Sequence, residues 1–218
     1  MDLRYLTLKA CLLLGLAASP AAAAAEPCRV AVLGDSLTAG FGVRAGASFP
    51  AQLGAALAEE GLACEVVDAG VSGDTSAGGA ARLDWVLADR PTHLLVELGG
   101  NDALRALPVD QLRRNLGDIV ARAQEAGVRV MLAGMLPPPN LGRAYFDAFA
   151  GAYSDLAAER GVPLYPFFLD GVVFATGLMQ PDGIHPNEEG VAEIVRRILP
   201  TVADWLAGGA GASGSGGR

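Results

Sequence analysis

From residue 28 onward, short apolar runs rich in β-branched residues alternate with longer amphipathic stretches, and this alternation constrains the chain more than any other feature. The short runs, at residues 29–33, 65–68, 93–98, 128–133 and 163–166, read as strands, several of them apolar enough to be covered on both faces. The longer stretches, at 49–60, 80–88, 109–126, 144–160 and 187–206, read as helices. The endings "EEG", "EAG" and "ERG" put Gly61, Gly127 and Gly161 where a helix closes in the left-handed conformation just before the next strand. Strand and helix in turn imply right-handed crossovers and hence a parallel sheet.

The expected architecture is therefore a three-layer α/β/α domain over residues 26–206, built on a flavodoxin-like five-stranded parallel sheet. With 51% apolar and 18% charged residues, the chain has the makings of a packed core. A formal charge of -8 without a basic stripe argues against nucleic acid as a partner, because phosphate binding needs clustered cations. The one lysine is Lys9, so Schiff-base chemistry and a P-loop lysine are excluded from the body of the chain.

Both ends read differently from the middle. Residues 1–25 carry Arg4 and Lys9, then an apolar run, then small residues, the layout of a secretory signal peptide. The run is too short for a stable membrane anchor, so the mature protein is expected in the periplasm or outside the cell. Residues 207–218, rich in glycine and serine, read as a flexible tail. With Cys11 leaving in the leader, Cys28 and Cys64 remain, each opening one of the first two strands. Those strands normally lie side by side, so an oxidising compartment would allow a disulfide; two buried free thiols are the other reading.

Open α/β sheets bind ligands at the carboxyl ends of their strands. Four polar clusters fall there: "GDSLTAG" after the first strand, "AGVSGDTSAGG" after the second, "GGNDALR" after the third and "QPDGIHPNEEG" beyond the fifth. A nucleophilic serine needs a base within reach and a group that orients the base. Of the two histidines, His93 opens the third strand at the opposite edge and reads as structural, whereas His185 lies on the right edge, three residues after Asp182. Ser36 is thus the candidate nucleophile, His185 the base and Asp182 its orienting carboxylate. An oxyanion needs rigid donors, for which the Ser36 N–H, the Gly73 N–H and the Asn101 amide are available. Each cluster by itself also reads as an ordinary turn or helix cap.

Taken together, Ser36 in "GDSLTAG", Gly73 in "VSGDTSAGG", Asn101 in "LGGND" and His185 in "DGIHP" resemble the four blocks of the GDSL or SGNH hydrolase superfamily, in order and spacing. "LVELGGNDALR", "VPLYPFF" and "MQPDGIHPN" extend the likeness, over about residues 28–205, to its small periplasmic thioesterase, lysophospholipase and arylesterase subgroup. The resemblance implies an esterase acting without metal or cofactor through the Ser36, His185 and Asp182 triad, with Ser36, Gly73 and Asn101 as oxyanion donors. It also marks residues 103–108 as a candidate flap.

Specificity is expected from loops. Met135, Leu136 and Pro137, with Phe168, Leu178 and Met179, could form an apolar acyl groove, ordinary packing being the other reading of each. The expected partner is a small ester or thioester, and the expected state a monomer. Two readings compete: a carbohydrate acetylesterase of the same superfamily and a non-catalytic flavodoxin-like binding module.

Overall fold

The computed structural model describes residues 27–208. The leader expected over residues 1–25 and all but the first two residues of the expected tail lie outside the described residues. The chain runs β1 (Cys28–Gly34), α1 (Ser36–Ala39), α2 (Phe49–Glu59), β2 (Cys64–Gly70), α3 (Ser76–Ala88), β3 (His93–Glu97), α4 (Gly100–Leu104), α5 (Val109–Glu125), β4 (Arg129–Ala133), α6 (Arg143–Arg160), β5 (Leu164–Tyr165) and α7 (Glu188–Leu206). All five strands are parallel, in the order β2-β1-β3-β4-β5, which is the flavodoxin-like order. Helix α2 packs on α7, and α5 packs between α3 and α6, so helices cover the sheet.

The central strands explain the apolar runs. Val30, Val32 and Leu33 of β1, Leu94 and Leu95 of β3, and Met131, Leu132 and Ala133 of β4 are fully buried. Gly61, Gly127 and Gly161 all take positive φ at the helix ends, as their positions predict. Helix α3 starts four residues earlier than the periodicity predicts, because Thr75 caps it by accepting from the Gly78 N–H. Strand β5 is only two residues long, since Pro163 and Pro166 on either side carry no N–H for a ladder. Helices α1 and α4, of four and five residues, are too short to show a helical period in the sequence.

Two features lie at the sheet's amino edge. Cys28 and Cys64 occupy the first register position of the β1–β2 pair, with Cα atoms 4.6 Å apart, and are joined by a disulfide. His93 is 8% exposed and packs edge-on against Trp205, their ring centroids 4.9 Å apart. Its Nδ1 lies 2.8 Å from Thr92 Oγ1, while its Nε2 is buried with no hydrogen-bond partner. Burial, reinforced by the Arg129 charge, pushes its pKa down to about 4.

An unfolded histidine takes up a proton near pH 6.5, whereas native His93 takes it up only near pH 4, so stability falls as pH drops through that window. Replacing His93 by Phe, which keeps an aromatic edge for Trp205, is expected to shift the stability difference in the variant's favour by about 2 kcal/mol between pH 7 and 4.5. Urea unfolding at both pH values measures it, and a difference that does not change with pH contradicts the assignment.

Candidate active site

The carboxyl edge of the sheet brings the four polar clusters together. Strand β1 ends at Gly34, and two residues later Ser36 opens α1. Gly34 is required by space: a Cβ there would fall onto Thr38 Oγ1 and lie 2.7 Å from Glu97 Oε2. Asp35 caps the short helix, its Oδ1 accepting from the Leu37 N–H at 2.9 Å. This sharp turn presents the Ser36 hydroxyl on the sheet edge, partly exposed.

His185 Nε2 lies 2.9 Å from Ser36 Oγ, across 149 residues of chain, and Nδ1 lies 2.7 Å from Asp182 Oδ2. Since a carboxylate only accepts, Nδ1 carries the proton and Nε2 is left to accept from the serine hydroxyl. Asp182 Oδ1 accepts from the His185 and Ile184 backbone N–H groups, at 3.0 and 2.9 Å. These bonds, first among them the His185 N–H and then its ring, hold the Asp182 pKa down to about 2. Asp182 therefore stays ionised through the whole neutral range. The Phe41 ring lies against the His185 imidazole, centroids 4.5 Å apart.

The three expected oxyanion donors stand differently. Gly73 takes φ +86°, and its carbonyl accepts from Arg105 Nη2 at 2.9 Å. Among the described residues, neither the Gly73 N–H nor the Ser36 N–H donates to a protein acceptor. Asn101 Nδ2 instead donates to Asp35 Oδ2 at 3.0 Å and to the Asp74 carbonyl at 2.9 Å, so both amide hydrogens are engaged. It can reach an oxyanion only by sharing one of them.

Acidic neighbours fix the loops. Asp74 is paired with Arg82 at 2.6 Å, and Arg82 also donates to the Gly34 carbonyl. Asp102, almost wholly buried, accepts from the Ser76 N–H and hydroxyl, and so ties α4 to the start of α3. Asp35 is buried and its pKa is raised to about 6, chiefly by desolvation. Fully buried Glu97 accepts from Thr38 Oγ1 at 2.8 Å, and desolvation together with the Asp35 charge raises its pKa well above the usual carboxylate range.

The expected acyl-groove residues are split by the structure. Met135 and Pro137 are buried, while Leu136, Leu178 and Met179 are half-buried, the last two packed against the core. Phe168 is only 1% exposed, edge-on to Phe49 at 4.9 Å, and is core and not groove, its N–H bonded to the Gly134 carbonyl that follows β4. Exposed apolar side chains in the segments that follow the strands are others: Phe41 after β1, Val71 after β2, Leu104 after β3, Phe174 after β5, and Ile184 between Asp182 and His185. Large apolar residues inside otherwise polar turns were the sequence signal for them. Among the described residues, no three His, Cys, Asp or Glu side chains group to hold a metal ion, and no helix is long and apolar enough to cross a membrane.

The sheet carries a hydrogen-bonded serine, histidine and aspartate at its carboxyl edge, and residues 32–192 match the GDSL-like Lipase/Acylhydrolase family, a family of carboxylic ester hydrolases. The chain belongs to that family. It is 41% identical over 205 residues to esterase TesA of Pseudomonas aeruginosa, an alignment covering 94% of this chain and 100% of the relative. It is also 41% identical over 177 residues to thioesterase 1/protease 1/lysophospholipase L1 of Escherichia coli K12, covering 81% and 80% of the two chains. A crystal structure of TesA superposes with a TM-score of 0.77 at 42% identity, covering 80% of this chain and 97% of that one.

Proposed function

We propose that this enzyme hydrolyses aryl and acyl esters and thioesters by a two-step acyl transfer, with Ser36 as nucleophile, His185 as general base and Asp182 as its orienting carboxylate. The observation that carries the reading is the unbroken hydrogen-bonded chain from Ser36 Oγ through His185 to Asp182, at 2.9 and 2.7 Å. His185 Nε2 takes the hydroxyl proton as Ser36 Oγ bonds to the carbonyl carbon and the π pair moves to oxygen. The Ser36 and Gly73 N–H groups meet that oxyanion, with Asn101 sharing one amide hydrogen. Collapse expels the alkoxide or thiolate, which His185 protonates. Water then adds under the same base, and the acid leaves.

Exposed Phe41 against the His185 ring, with exposed Val71, Leu104 and Ile184 on the segments that carry the polar clusters, supports acyl or aryl substrates over acetylated sugars, which favour polar and aromatic platforms. Half-buried Leu136, Leu178 and Met179 remain candidate groove residues. The oxidising context of the Cys28–Cys64 disulfide and the layout of residues 1–25 support export to the periplasm.

Hydrolysis of p-nitrophenyl esters of increasing chain length, palmitoyl thioester and an acetylated xylan tests the reading. Turnover of the first two classes well above the third is expected; a preference for the acetylated sugar overturns the substrate class. For the triad, Asp182→Asn is expected to lower kcat by about 100- to 10,000-fold with the fold intact, because an amide holds the imidazole in the wrong tautomer. Asp182 is ionised above about pH 2, so this deficit should persist unchanged across the neutral range instead of titrating away. Retention of more than a tenth of wild-type kcat contradicts the role.

A further inference from the structure

Ser36 and His185 meet from loops that the chain reaches 149 residues apart, so something other than local sequence must hold the two at hydrogen-bond distance. One residue outside the triad bonds to both loops. Gln180 Nε2 donates to the Phe41 carbonyl at 2.7 Å and to the Pro186 carbonyl at 2.9 Å. Phe41 closes the nucleophile turn, its N–H bonded to the Ser36 carbonyl, and Pro186 immediately follows the base. The two hydrogens of a single amide nitrogen therefore span the joint between nucleophile and base.

The backbone of the same residue closes the base's own loop. The Gln180 N–H donates to the His185 carbonyl at 2.8 Å, and its carbonyl accepts from the Gly183 N–H at 3.0 Å. Just outside, Met179 and Pro186 form an antiparallel bridge. On the other side, a Cβ on Gly42, which takes φ +75°, would overlap Gln180 Oε1, so the nucleophile loop leaves room for this side chain. A longer strut runs parallel to it: Arg44 reaches Glu188, at the start of α7, through its guanidinium at 2.6 Å.

We infer that Gln180 is a positioning residue for catalysis, a clamp that sets the distance between the Ser36 hydroxyl and the His185 imidazole by tying the Phe41 and Pro186 carbonyls together. The inference rests on the triad reading above. Glutamine suits the task because its nitrogen offers two donors to two carbonyls. A glutamate there would turn an acceptor toward each, and a methionine would fill the space while donating nothing.

Gln180→Met tests it, as a side chain of similar length and shape. The expected result is kcat lower by about 10- to 100-fold with KM within about twofold, the pattern of a displaced base and not of a lost binding contact. The same change in a His185→Ala background reads the mechanism. A clamp acting through the imidazole has nothing left to position there, so Gln180→Met should leave the residual rate of His185→Ala unchanged. Loss by the same factor in both backgrounds would mean a general structural role and overturn the inference, as would a single variant within twofold of wild type. If Gln180→Met does not yield folded protein, Gln180→Glu carries the same two readings. Ser36→Ala run alongside separates the failures: full activity there sinks the triad itself, whereas an inactive Ser36→Ala beside an unaffected Gln180→Met sinks only the clamp.

Discussion

Ser36→Ala is expected to lower kcat/KM for a p-nitrophenyl ester by about four to six orders of magnitude while leaving the fold unchanged. The size follows from what is removed. Without Oγ no acyl-enzyme forms, and His185 loses the proton it is placed to take, so the base and its orienting carboxylate contribute little that a bare site would not. On the proposed reading the backbone N–H groups of residue 36 and Gly73 would still meet an oxyanion formed by water attack, so the rate is expected to stay above that of buffer. Stability should barely move, because the hydroxyl is partly exposed and its hydrogen bond is to His185. Steady-state kinetics beside circular dichroism settles it. Retention of more than about one per cent of activity, outside the range expected for a lost nucleophile, would return Ser36 to the role of a helix-opening residue.

Removing the Cys28–Cys64 bond is expected to cost about 4 kcal/mol of stability, with a fall in Tm of about 10 °C. The bond closes 36 residues of chain, and in the chain-entropy account a loop of that length loses about this much freedom in the unfolded state. The position adds a native-state reason. Strand β2 lies at the sheet edge with no residue fully buried, held to β1 by the ladder, by α1 and α2 packed against it and by this covalent tie at its first register position. The enclosed segment also holds α1 and α2, and hence Ser36. Urea unfolding of the Cys28→Ser, Cys64→Ser double variant against the oxidised protein measures the effect. A difference under about 1 kcal/mol would show that ladder and helix packing alone secure the edge.

Much of this was legible in the chain itself, for identifiable reasons. Buried parallel strands must be apolar on both faces, so β1, β3 and β4 announce themselves as apolar runs, and the glycines at 61, 127 and 161 mark helix ends because few other residues take positive φ. Ser36, Asp182 and His185 could be singled out because only two histidines exist and one falls on the wrong edge. The groove was less readable. Met135 and Phe168 have the composition of an acyl pocket but sit in the core, while Phe41 and Ile184 stand exposed within motif turns. Apolar character is the same in both settings, and only packing tells them apart.

Periodicity and turn chemistry are local properties, so the five strands, the longer helices and the polar clusters at the carboxyl ends of the strands could be read from the residues alone. Distances between segments remote in the chain could not be read that way. The 2.9 Å between Ser36 and His185, the commitment of both Asn101 amide hydrogens, the neutral burial of His93 and the reach of Gln180 across two loops all depend on segments far apart in the chain. Hydrogen bonds and desolvation act over a few ångströms, and which groups come that close is settled by packing, which no local pattern records.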